Sequence, residues 1–202
     1  MFDPPNSSIG DEKMKVTVKP LSPEWVDDFL YFFDQVAFSD NPDWASCYCY
    51  YYHIACNGKQ WAKRGKEENR ECAREFILSG EMNGHLAYTN GSPVGWCNAN
   101  HKASYARLTA EKNLSDLGSE KVGSIVCFVI APSYRRKGIA RQLLEGACAG
   151  FKSKEYDYAE AYPRKEGLSD AQHYHGPLSM YKKAGFSVHK EFSDYFIVRK
   201  KL

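Results

Sequence analysis

The chain has 202 residues, 43% of them hydrophobic and 26% charged, with a formal net charge of +2. That composition fits one globular domain with a substantial core and argues against the strongly basic balance of a nucleic-acid binder. The apolar runs fall short of the ~20 residues that span a bilayer. Residues 1–13 read as a flexible lead without the basic and hydrophobic regions of a secretory signal, and 14–202 as one domain. No membrane or nucleic-acid partner is expected. Seven cysteines are an odd count in a chain too large to need disulfide staples, so a reducing cytoplasm is the expected compartment.

In chain order, Val16–Leu21 reads as a first strand. Ser22-Pro-Glu-Trp opens a helix with a capping serine and an early proline, and the helix carries Trp25, Phe29, Phe32, Phe33 and Val36. Asp40-Asn-Pro-Asp43 breaks it, and an aromatic, cysteine-rich stretch runs from 44 to 56. A second helix is expected over Lys66–Leu78. A hairpin follows over 84–100, turning at Asn90-Gly91. Residues 105–119 are polar and irregular, with room for one short helix. Val122 to Ile130 is a nearly unbroken β-branched and apolar run, the pattern of a strand buried on both faces. Pro132 ends it.

A basic turn, Tyr134-Arg-Arg-Lys-Gly138, leads into a helix whose apolar positions Ile139, Leu143, Leu144, Ala147, Cys148 and Phe151 recur at three- and four-residue intervals. Gly150 is the expected stop. Strand, short loop and helix N-terminus in this order make an anion site, because unpaired helix N–H groups and the positive dipole end point at the loop. Gly138 lets a ligand approach the backbone. Tyr156–Tyr162 reads as another strand, closed by Pro163. A loop to about Asp170, a last helix ending at Gly185, and strands over 186–192 and 194–200 complete the chain.

Arg135-x-x-Gly138-x-Ala140, with Pro132 ahead of it, resembles the acetyl-CoA-binding motif of the GNAT-type N-acetyltransferases. That motif reads Arg/Gln-x-x-Gly-x-Gly/Ala after a hydrophobic strand and a proline. Tyr181-Lys-Lys-Ala-Gly-Phe186 is similar to the Tyr-x-x-x-Gly-Phe that the family carries near its C-terminus. With the element order, the resemblance covers about residues 14–202. It implies an α/β fold: a mixed, mostly antiparallel sheet of six to seven strands flanked by helices, with CoA between the central parallel strands. It implies acetyl-CoA as co-substrate, with the backbone of Phe128, Val129 and Ile130 pairing with the pantetheine arm. An amide near Ile130 would polarise the thioester carbonyl. Arg135, Arg136, Lys137, Gly138, Ile139, Ala140 and Arg141 would hold the diphosphate. Tyr181 would protonate the departing thiolate in a direct transfer without a covalent enzyme intermediate. The family often has an asparagine seven residues before this tyrosine; here the position is Tyr174.

The acceptor side is open in sequence. The resemblance makes 43–53 one wall, and its aromatic density suits a flat or cationic acceptor or an ordinary core. Tyr50, Asn98 and Tyr162 are the candidate acceptor contacts. Asn98 has the alternative of an edge facing solvent. Glu160, mid-strand and sharing a face with Tyr158 and Tyr162, is a candidate general base or one half of a salt bridge. A base acting through water stands beside it. His173 and His175 read as surface or core residues. Cys47, Cys49, His53 and Cys56 lack the paired spacing of a zinc site, so no metal is expected. The leading expectation is an N-acetyltransferase acting on a primary amine, of a small molecule or a peptide, as monomer or homodimer. The alternative is a catalytically silent CoA-binding sensor of the same fold.

Overall fold

The computed structural model describes residues 14–115, 118–165 and 173–202. The expected lead over 1–13 and the loop around Asp170 lie outside them. Among the described residues one seven-stranded sheet forms the middle layer, in the order β1-β2-β3-β4-β5-β7-β6. Its strands are β1 (Thr17–Pro20), β2 (Gly84–Thr89), β3 (Ser92–His101), β4 (Val122–Ile130), β5 (Tyr158–Ala161), β6 (Ser187–Glu191) and β7 (Phe196–Lys201). Every pairing is antiparallel except β4 with β5. This is the mixed, mostly antiparallel sheet expected.

The helices are α1 (Val26–Tyr31), α2 (Gly58–Trp61), α3 (Lys66–Leu78), α4 (Ala106–Ala110), α5 (Ile139–Ser153) and α6 (Leu178–Lys183). One core cluster joins Phe29, Phe32, Phe33, Tyr48 and Ile77 to Trp96 on one face of the sheet. A second joins the apolar stripe of α5 to Cys97, Phe128 and Tyr181 on the other. All six stripe positions of α5 are buried, at about 1.5–3 kcal/mol for each large side chain.

Two local expectations are corrected. Ser22 makes no side-chain cap; Pro23–Trp25 is a short 3-10 turn before α1. From Phe32 to Val36 the helix widens, with Ala37 N–H donating to Phe32 O at 2.8 Å. Gly150 does not stop α5, which runs on to Ser153. A Cβ on Gly146 would lie 2.8 Å from Val18, and one on Gly150 3.3 Å from the His85 ring. Both glycines serve the close approach of helix to sheet.

The central strands part. β4 and β5 pair from Val122↔Tyr158 to Ile125↔Ala161 and no further. Two features cause it. Ile125 faces Ala99 and Cys127 faces Asn98, so Val126 is an extra residue that bends β4. Pro163, two residues past the end of β5, has no N–H to extend a ladder. β4 runs on to Ile130 with one backbone edge facing a groove rather than a strand.

Candidate active site

The groove that opens at this parting encloses about 730 Å³. One wall is Cys127 to Ile130 of β4, the next the loop and first turn of α5, the third α6 and the segment before it, and the fourth residues from 43 to 61.

The loop earns its shape from two left-handed residues, Arg136 (φ 61°) and Gly138 (φ 81°). A Cβ on Gly138 would meet nothing within 4 Å, so conformation, not space, calls for glycine there. Gly138 caps α5 without a side-chain hydrogen bond. The first-turn N–H groups of a fifteen-residue helix therefore face the groove, where Gly138, Ile139, Ala140 and Arg141 line it. Such an end favours an anion. Arg136 lines the groove as well. Arg135 is committed elsewhere: its Nε donates to Ile130 O at 3.2 Å and its guanidinium grips Asp40. That grip holds the Asp40 carboxyl below its ordinary range. Lys137 stands over the Tyr134 ring, 5.4 Å from its centre.

On β4, Phe128, Val129 and Ile130 all line the groove. Phe128 N–H donates to Tyr174 O at 2.6 Å. Backbone alternation turns Ile130 N–H to that same side, while Ala131 N–H bonds Val94 O on the other.

The fourth wall is the aromatic stretch. Trp44, Cys47, Cys49, Tyr51, Tyr52 and Trp61 line it. It starts from two consecutive left-handed residues, Tyr48 (φ 43°) and Cys49 (φ 50°), a costly conformation for residues with side chains. Neighbours hold it. Tyr48 donates its hydroxyl to Asp34, which Arg70 also grips at 3.0 Å. Asn98 Nδ2 donates to Cys49 O at 3.1 Å, and Tyr105 donates to Asn98 Oδ1 at 2.7 Å. Burial, then the neighbouring Cys49, pushes the Cys47 thiol up to about 12. A hydrogen bond with Cys49, then burial, raises Cys127. Both of these thiols stay neutral.

Three residues expected at the acceptor are placed elsewhere. Tyr50 turns away to meet the Phe76 ring edge-on at 5.1 Å, because in a tight 3-10 turn neighbouring side chains diverge. Asn98 is fully buried on an interior strand, and its amide is spent on Cys49 and Tyr105. Tyr162 bonds Ser124 at 2.8 Å and Glu160 at 2.7 Å inside the sheet. Glu160, fully buried, is held by Lys102 at 3.0 Å and Arg199 at 2.6 Å. Burial pushes its carboxyl up, but Lys102, Tyr162 and Arg199 outweigh that and keep it below the usual range. Of the two sequence readings of Glu160, the geometry is that of the salt bridge.

Tyr181 is fully buried behind the groove wall, not among the residues that line it, and donates to His175 O at 2.6 Å. Burial raises its phenol well above the ordinary value. Sequence reasoning missed Tyr52, whose hydroxyl lies 3.3 Å from His175 Nε2 on the groove wall. Burial, then the charge of Arg164, lowers the His175 imidazole to about 3, so it is neutral. Nothing in the local pattern marks that pair, because its members are far apart in sequence.

A strand edge leading to an uncapped helix end is the frame of an acyl-CoA transferase, and the comparisons agree. The model of the acetyltransferase (GNAT) family matches residues 43–186, and the chain belongs to that family. It is an acyltransferase with acetyl-CoA as co-substrate. No curated protein matches the chain. Among solved structures, it is similar to the PaiA N-acetyltransferase of Thermoplasma acidophilum in complex with coenzyme A. Identity is 17%, the TM-score 0.56, and the match covers 94% of this chain and 100% of that one. A GNAT-family acetyltransferase of Listeria monocytogenes matches at 13% identity and TM-score 0.55, over 94% and 96% of the two chains. The NatC complex bound to Gag peptide and CoA matches at 15% and 0.54, over 94% and 99%. At these identities the likeness is one of fold.

Proposed function

We propose that the chain moves the acetyl group of acetyl-CoA onto a primary amine by direct attack within the groove. The observation that carries this reading is the continuity of the β4 edge with the uncapped end of α5. Both line one groove, the β4 edge offering backbone to an extended arm and the helix end an anion site. The first-turn amides of α5, with Arg136 and Arg141, bind the diphosphate. On the groove side of β4, where Phe128 N–H is held by Tyr174 O, the Phe128 carbonyl accepts from a pantetheine amide. Ile130 N–H donates to the thioester carbonyl oxygen and favours the charge that grows there during attack.

Arg135 works through the loop rather than through phosphate, by tying it to Ile130 O and Asp40. The amine loses its proton to water, since Glu160 is closed in its ion pairs. Tyr181 gives a proton to the departing sulfur and regains one, through water, from the amine nitrogen as the amide forms. A Cβ on the groove residue Gly176 would lie 3.2 Å from the Tyr181 hydroxyl, so that hydroxyl is one small residue from the channel. Its raised phenol stays protonated at neutral pH and serves as a donor, not a base. The seven free cysteines fit a reducing compartment such as the cytoplasm.

The test is Tyr181→Phe, read two ways. The variant is expected to bind CoA as the parent does and to lose about a hundredfold or more in kcat. Full kcat across pH would remove Tyr181 from the mechanism. Tight CoA binding by the parent with no turnover of any amine would favour the silent sensor instead.

A further inference from the structure

The groove divides by charge. Arg135, Arg136 and Arg141 line the end formed by the loop and α5, and Lys183 of α6 joins them. Toward the 43–61 wall the lining holds one charged side chain, the exposed carboxylate of Asp43. The rest of that wall is the rings of Trp44, Tyr51, Tyr52 and Trp61, the hydroxyl of Ser46 and the thiols of Cys47 and Cys49, and thiols behave as small apolar groups.

The rings are set in advance. Arg107 of α4 lies over the Tyr51 ring at 3.7 Å and donates to Tyr51 O at 3.1 Å and Cys56 O at 2.6 Å. The Trp61 and Tyr52 rings meet Tyr51 edge-on at 5.0 Å and 5.3 Å. Trp44 meets Tyr174 edge-on at 5.7 Å, and Tyr174 O is the group bonded to Phe128 N–H. The aromatic wall therefore reaches the β4 edge where the transfer is proposed to occur.

From this we infer that the acceptor is a primary amine on an aromatic or bulky apolar body with no further positive charge. Its body lies against Trp44, Tyr51 and Tyr52, and its ammonium meets Asp43 on entry. The inference rests on the amine transfer proposed above. The reason is physical. A polyamine brings further cations into a wall that offers one carboxylate, and an amino sugar brings more hydroxyls than Ser46, Tyr51 and Tyr52 can pair. Each unpaired polar group costs free energy there. An aromatic body gains by leaving water. The same chemistry is met by a free arylalkylamine and by the N-terminus of a peptide that begins with a large apolar residue.

The experiment follows thiol release from acetyl-CoA with 2-phenylethylamine, tryptamine, a short peptide amide beginning with phenylalanine, spermidine and glucosamine. The aromatic arms are expected to exceed spermidine and glucosamine by at least about tenfold in kcat/KM. The peptide arm tells the two sources apart. Trp44→Ala is expected to raise KM for the best aromatic amine about tenfold while CoA affinity holds. Asp43→Asn, an exposed change that does not threaten folding, should raise the same KM. Preference for spermidine or glucosamine would overturn the inference and leave amine transfer standing. Unchanged KM in both variants would overturn it too. No turnover in any arm, with CoA bound, would overturn amine transfer and the inference together.

Discussion

Glu160 is fully buried between Lys102, Arg199 and Tyr162, and Arg199 also reaches Glu120 at 3.1 Å. Removing the charge from one member of a buried set is costly, because the others keep theirs. Glu160→Gln is expected to cost about 3–5 kcal/mol, which lowers the Tm by roughly 6–15 °C in a chain of this size. If the mutant enzyme melts near the parent while kcat collapses, the structural account of this carboxylate fails and a catalytic one returns. Such a cluster is legible in sequence only in part. A carboxylate between two alanines in a strand signals a partner or a site, but Lys102 and Arg199 come from elsewhere in the chain, and only the sheet order unites them. The same limit explains Tyr50. Composition pointed to the right segment, while the 3-10 turn decided that Tyr51 and Tyr52, not Tyr50, would meet the groove.

At the scale of elements, the clearest patterns translated most faithfully. The β-branched run became the buried β4, and the three- and four-residue spacing became the buried stripe of α5. Asn90-Gly91 sits at the hairpin turn with φ values of 49° and 78°, as that dipeptide favours. The widening over Phe32–Val36 carries no local signal, and α2 went unread although Asn57 and Gln60 close a capping box at its start, whereas α4 falls in the stretch that had room for one short helix. Gly150 misled because a glycine ends a helix when it is left-handed but brings a helix close to a sheet when it is not. The parting of β4 and β5 has half of its cause in plain view, at Pro163. The bulge at Val126 is a matter of register, which a sequence run does not reveal.

For the molecule as a whole, the family resemblance carried by two motifs and the element order implied a sheet with a central parallel pair, which β4 and β5 form, and the groove follows from that topology. Buried His53 and His175 and partly buried His85 shape the molecule's response to acid. Burial lowers His53 to about 4, and burial followed by the charge of Lys154 lowers His85 to about 4. His175 falls to about 3. Unfolded, each takes up a proton near 6.5. The unfolded chain then binds more protons below that pH, so stability falls as pH falls, by about 2 kcal/mol for each histidine at pH 5. Together that is about 6 kcal/mol, so thermal melts should drop by more than ~10 °C from pH 7.5 to pH 5. Equal melts at both would mean that the histidines are charged or exposed.

The central claim is direct transfer from acetyl-CoA to an amine, in a groove that also holds the thiols of Cys47, Cys49 and Cys127. The decisive measurement is mass spectrometry of protein and amine after turnover with acetyl-CoA whose acetyl group carries a heavy isotope. The account predicts the label in the amide of the product and none on the protein at any stage. Label held on one of those cysteines before it reaches the amine, or label released only as acetate, would contradict it.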